Sequence, residues 1–253
     1  EDPGPQTKKR METVDEEFLA AAKDFIDRSH KADKPFFCWF NSTRMHVFTH
    51  LKPASVGKTE SGTQGDGMVE HDGMVGELLK LLDELNITEN TIVVYTRDNG
   101  AMKSMWPDGG ASPFRSEKDT NWEGAFRVPA LIRWPGQIKP GTNFTGLFSA
   151  EDWLPTLVAA AGGDSNLRES ATKGVAAGGK TFKVHIDGYN QLDYLTGKSG
   201  KSARKEFAYF SDDGDLMAFR DERFKYIYQV QRAVGLQVCI DPLTVLRTPQ
   251  IIG

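Results

Sequence analysis

Two cysteines in 253 residues leave no room for a disulfide framework. Cys38 lies in the apolar run PFFCWF and Cys239 in the distant LQVCID, so both read as small core residues rather than redox or metal groups. Long apolar runs are missing as well. Nothing approaches the roughly 20 residues of a membrane span, and the opening EDPGPQTKKR lacks the apolar centre of a signal peptide. Neither sign of charge dominates: 31 basic against 35 acidic residues give a formal charge of -4. The one basic cluster, Lys8 to Arg10, sits in a polar terminus, which argues against nucleic acid as a partner. N-x-S/T tripeptides at Asn41, Asn86 and Asn143 carry no weight for secretion, because such tripeptides are common by chance.

At 39% hydrophobic, the chain is long enough for one large α/β domain, or one domain with a small appendage. In TVDEEFLAAAKDFIDRSHK, Thr13 and Glu16 have capping-box spacing, and Val14, Phe18, Leu19, Phe25 and Ile26 recur at helical intervals. PFFCWFN then reads as a central strand, and residues 51–67 as a polar surface loop. In GMVEHDGMVGELLKLLDELN, Met68, Val75, Leu78, Leu79, Leu82 and Leu85 mark a second helix, followed by the strand TIVVYT. Strand, loop, helix, strand is the order of a parallel α/β sheet, whose ligands gather beyond the carboxyl ends of the strands. The triplet Asp98, Asn99, Gly100 falls at such an end.

By itself this triplet reads as a turn, since Asp and Asn tolerate turn geometry and Asn-Gly is a common turn pair. The long loop that follows, PFRSEKDTNWEGAFRVPALIRWPG, mixes charge, Trp122 and glycine before another apolar strand at 128–134. Long polar loops of that kind seldom serve only as connectors. Glycine-rich polar sequence from 162 to 180 marks a boundary between residues 1–180, a large domain, and 181–253, a smaller subdomain of short strands.

Four blocks in order, KPFFCWFNSTRMH, YTRDNGA, EKDTNWEGAFRVPALIRWPG and EDWLPTLVAAAGG, closely resemble the type I sulfatases, particularly bacterial arylsulfatases of the alkaline-phosphatase superfamily. The resemblance implies an α/β, alkaline-phosphatase-like fold: a mixed, mainly parallel sheet flanked by helices, with a small antiparallel carboxyl-terminal sheet. It places Asp98 and Asn99 as oxygen ligands of a divalent cation, usually Ca2+, a hard ion that takes about six to eight oxygens. Lys118 matches the lysine that holds the sulfate, a task suited to a compact ammonium. His46 matches the histidine that contacts sulfate and can protonate the leaving oxygen; His50 is its rival in the same segment. His30, His71 and His185 read as structural or solvated, and Glu70, His71 and Asp72 fan out around a helix too widely to share one ion.

Some positions depart from the family pattern. Phe48 replaces a proline after His46, Arg97 stands where a small residue is usual, and Ala125 replaces the second glycine of Glu-Gly-Gly. Neither cysteine begins the Cys- or Ser-x-Pro-x-Arg signature whose first residue becomes formylglycine. The chain is therefore expected to be the carboxyl-terminal part of a sulfatase, with the formylglycine, the first metal carboxylates and some sulfate-binding residues upstream, and with its own carboxyl end cut short. The expected substrate is a small organic or aryl sulfate ester, or a sulfated glycan. The alternatives are a phosphoester or phosphonate hydrolase of the same superfamily, or a non-catalytic module that binds sulfated ligands. The resemblance leans toward a periplasmic or secreted enzyme, without a signal peptide in these residues.

Overall fold

The amphipathic segment after the terminus forms two consecutive helices, α1 (Lys8–Met11) and α2 (Val14–Lys31), in a computed structural model that describes residues 4–5 and 7–253. Val14, Ala22 and Ile26 are buried along one stripe of α2, as the periodicity requires. The capping box is not formed: Thr13 stands at the N-cap without a side-chain hydrogen bond, and Glu16 pairs instead with Lys52. The second helix, α3 (Gly62–Glu84), begins inside the segment expected to be loop. Its first turns are held by Asp66, which accepts the N–H groups of Gly57 and Thr59 at 2.6 and 2.7 Å, and by Asp108, which accepts the N–H of Gln64.

The run 35–40 is extended, with Phe36, Cys38 and Phe40 turned inward and Phe37 and Trp39 exposed, but it pairs with no strand among the described residues. The strand β1 (Val93–Thr96) pairs antiparallel with β2 (Ala130–Arg133), in register Val93 to Arg133 and Thr96 to Ala130. Between them lies the short helix α4 (Glu123–Phe126). Every ladder among the described residues is antiparallel, so the parallel pairing inferred from the order of elements is not made within them. Because β2 starts beside the carboxyl end of β1, the segment 97–129 leaves from and returns to that one end.

Beyond β2, a 3-10 turn at 150–152 leads into α5 (Trp153–Ala160), with the Ser149 N–H donating to the Asp152 carboxylate at 3.0 Å. The glycine-rich stretch holds α6 (Leu167–Lys173) and a hairpin of β3 (Val175–Ala177) and β4 (Lys180–Phe182), and α7 (Leu192–Leu195) follows. Four antiparallel strands close the chain in the order β5 (Glu206–Phe210), β6 (Leu216–Asp221), β7 (Lys225–Val230) and β8 (Thr244–Ile252). Pro249 is tolerated because β8 lies at the edge and its register slips between Ile227 and Gln229. The core of this sheet gathers Tyr209, Met217, Ala218, Ile227 and Val230 around Trp122, the tryptophan of the long loop.

Two buried ion-pair sets tie the elements together. Arg204 reaches Asp152 at 2.7 Å, and Asp152 also accepts the Tyr189 N–H and the Gln191 amide. On the other side Arg44 bonds Asp15 of α2 at 3.1 Å and Glu70 of α3 at 2.7 Å, with all three side chains at 5% exposure or less. Removing one partner of such a group leaves buried charge uncompensated. Arg44→Met should therefore destabilise the chain by about 3–5 kcal/mol in urea unfolding; a loss below about 1 kcal/mol would show that the pairs contribute no more than surface bridges do.

Candidate active site

β1 delivers Asp98 and Asn99 just past its last paired residue, Thr96. Asp98 is exposed and its carboxylate makes no hydrogen bond or ion pair among the described residues. The Asn99 amide nitrogen donates to the Gly100 carbonyl at 2.8 Å, which leaves the amide oxygen free to accept or to ligate. Arg97, the residue that would repel a cation, points the other way: its guanidinium lies 3.8 Å from the sulfur of Met68 on α3. It also acts on His71, whose imidazole is held below its ordinary range first by burial and then by the Arg97 charge.

Gly100 makes the decisive backbone contact. Its N–H donates to the Ala125 carbonyl at 2.7 Å, and a Cβ there would penetrate the Gly124 carbonyl. Gly124 in turn donates to the Arg115 carbonyl at 2.8 Å and has no room for a side chain against Arg115 and Ser116. Ala125, by contrast, occupies its place in α4 with its methyl buried, so the loss of a second glycine is accommodated. Next to this crossing the Lys118 N–H donates to the Ala101 carbonyl at 2.8 Å. The half-buried Lys118 is thereby tied by a direct backbone bond to Ala101, two residues past Asn99.

His46 is exposed on the loop after the extended run, in a turn where its carbonyl accepts the Thr49 N–H at 3.0 Å. Phe48, in the place of the family proline, is also exposed and lies 6.5 Å from the His46 ring. No direct contact joins His46 to Asp98 or Lys118 among the described residues; its loop reaches them only through α3, where Met45 packs on Gly67 and Arg97 on Met68. His71 is structural, bridging the Ser42 hydroxyl at 2.9 Å and the Tyr95 hydroxyl at 3.2 Å. Glu70 turns aside to Arg44, so the Glu-His-Asp run does not converge.

Cys239 corrects the core reading made from its apolar neighbours. It is exposed at the end of a 3-10 turn, and its thiol donates to the Asp119 carboxylate at 3.0 Å, beside Lys118. Cys38 is only half-buried. Asn121 was not foreseen either: fully buried, it anchors the Lys118 loop to β7, its amide donating to the Gln229 carbonyl at 2.8 Å. Its partner lies over one hundred residues away, and no local pattern signals such a contact.

The turn at Asp98 and Asn99 and the Lys118 loop are thus joined through backbone bonds at Gly100 and Ala101. A family model described as Sulfatase matches residues 1–163. The chain belongs to the sulfatase family. It is 30% identical to human arylsulfatase A over 230 residues, 89% of this chain and 42% of that protein. It is 38% identical to canine N-acetylgalactosamine-6-sulfatase over 147 residues, 57% of this chain and 28% of that protein. The crystal structure of PsFucS1 sulfatase from Pseudoalteromonas sp. superposes with a TM-score of 0.85 at 28% identity, covering 98% of this chain and 48% of that one. This sulfatase chain thus has the alkaline-phosphatase-like fold and spans less than half the length of each of these relatives. The family in general works with a metal and a formylglycine.

Gly100→Ala should cost roughly 3 kcal/mol or more, because a methyl is forced against main chain rather than a flexible side chain. Chemical denaturation measures it, and a neutral substitution would show that the two backbones do not cross so closely.

Proposed function

We propose that this chain carries one part of the active site of a sulfuric ester hydrolase, and that residues 181–253 form its smaller subdomain. The supporting observation is the Lys118 to Ala101 backbone bond, which ties the lysine loop to the segment that carries two uncommitted oxygen groups, the Asp98 carboxylate and the Asn99 amide oxygen. The substrate is an organic sulfate ester, aryl or borne on a glycan. Relatives named for N-acetylgalactosamine-6-sulfate and for steryl sulfate support that class.

In this reading the Asp98 carboxylate and the Asn99 amide oxygen hold Ca2+, whose preference for hard oxygens suits both. Two ligands do not complete a shell of about six to eight, so further carboxylates and the formylglycine come from an upstream half. Those groups would offset the negative charge of the sulfate and provide the attacking oxygen. Lys118 holds sulfate oxygens by charge-assisted hydrogen bonds, which strengthen as negative charge shifts during transfer. His46 hands a proton to the departing alkoxide or phenoxide oxygen.

In the enzyme assembled with its upstream half, Lys118→Ala should lower kcat/KM for an aryl sulfate by about 100- to 1,000-fold. Asp98→Ala should weaken Ca2+ binding about 100-fold or more in a calorimetric titration, because it deletes a charged ligand. Unchanged metal affinity would return Asp98, Asn99 and Gly100 to the status of an ordinary turn.

A further inference from the structure

Lys118 sits in a backbone that does not hold itself. Ser116 and Asp119, on either side of it, both adopt left-handed conformations, with φ of 70° and 66°. Non-glycine residues in that region are uphill, and two within four positions persist only where the surroundings over-determine them. The surroundings here come from the carboxyl-terminal sheet. The buried Lys225 ammonium of β7 donates to the Asn121 carbonyl at 2.6 Å and to the Glu123 carboxylate at 3.1 Å, and lies 3.6 Å over the Tyr209 ring. Tyr209 of β5 donates its hydroxyl to the same Glu123 at 3.0 Å, and Arg220 of β6 approaches it at 3.7 Å. Asn121 completes the attachment through the Gln229 carbonyl and the Gln231 N–H.

We infer that Lys225 and Glu123 are positioning residues for Lys118: an ion pair, buried on its lysine side, between the antiparallel sheet and the loop, that fixes where the substrate-holding ammonium stands. The inference rests on the sulfate-binding role proposed for Lys118. Burial pushes the Glu123 carboxyl up, but the Lys225 charge and hydrogen bond bring it net below the ordinary range, while burial draws Lys225 down. With Glu123 held below the ordinary range, its carboxylate is ionised at neutral pH. A lysine is apt here because one compact ammonium serves a carbonyl, a carboxylate and a ring face at once. The pair explains why a sulfate loop should depend on a sheet about a hundred residues downstream.

Cys239 reports the position of this loop without any substrate. Its thiol is raised above the ordinary range, first by the hydrogen bond to Asp119, then by burial and the Asp119 charge; Lys118 opposes the rise and Glu117 adds to it. If the loop relaxes, Asp119 leaves and the thiolate forms at lower pH. The test is site-resolved iodoacetamide alkylation of the full 253-residue chain against pH, with Cys38 as the internal control. In Lys225→Met/Glu123→Gln, which removes both charges at nearly constant volume, the Cys239 midpoint should fall by about half a unit and its rate at pH 7.5 should rise about threefold. Cys38 should be unchanged. Tyr209→Phe, which deletes a single hydroxyl, should shift Cys239 in the same direction by less. A Cys239 midpoint unmoved in the folded double variant overturns the inference, because a merely space-filling pair would lower stability and leave that midpoint alone. If the double variant does not fold, an unmoved midpoint in Tyr209→Phe overturns it. The sulfate-binding role itself stands or falls separately, on Lys118→Ala turnover.

Discussion

The crossing of two backbones at Gly100 and Gly124 is the constraint on which the rest of the site depends. Neither position has room for a methyl, and the bonds from Gly100 to Ala125 and from Lys118 to Ala101 surround the crossing. Such an approach joins the end of β1 to the lysine loop with a tolerance of a few tenths of an ångström, tighter than side-chain contacts alone allow. In the function proposed above it would be a means of preorganisation, since main chain held in place at both segments needs little rearrangement when substrate arrives.

The attachment extends from there in two directions. Toward the carboxyl-terminal sheet it runs through Trp122, which lies in that sheet's apolar core, and through the polar contacts of Asn121 and Glu123. Toward the helices it runs through Arg97, which packs on Met68 while its charge bears on His71. Residues that looked like obstacles to the sulfatase pattern are absorbed by these attachments: Arg97 turns to α3, and Ala125 fits a helical turn that does not require glycine.

The sequence disclosed what periodicity and local chemistry can disclose. The helices α2 and α3, the strands β5, β6 and β7, and the turn after β1 were legible because each is encoded within a few neighbouring residues. The run 35–40 kept the alternation of a strand but has no ladder among the described residues, since pairing is decided by partners elsewhere in a sheet. The Thr13 cap failed because Glu16 found a stronger partner in Lys52, and Cys239 was misplaced because an apolar neighbourhood in sequence does not fix burial of one side chain. Asp98, Asn99 and Lys118 were singled out through the resemblance, and the two segments that carry them are joined by backbone bonds at Gly100 and Ala101. The supports of Lys118, chiefly Asn121 and Lys225, were hidden because their contacts span about a hundred positions.

The central claim is that these residues form one part of a sulfatase site and are incomplete without the other. It is tested most directly by measuring turnover of a chromogenic aryl sulfate by the 253-residue chain alone, with Ca2+, and by the chain produced together with an upstream half and formylglycine-generating activity. The account predicts no turnover by the chain alone, because Asp98, Asn99, Lys118 and His46 position and stabilise charge without supplying a nucleophile, and turnover when the upstream half is added. Turnover by the chain alone, abolished by Lys118→Ala, would contradict it and reveal a nucleophile within these residues.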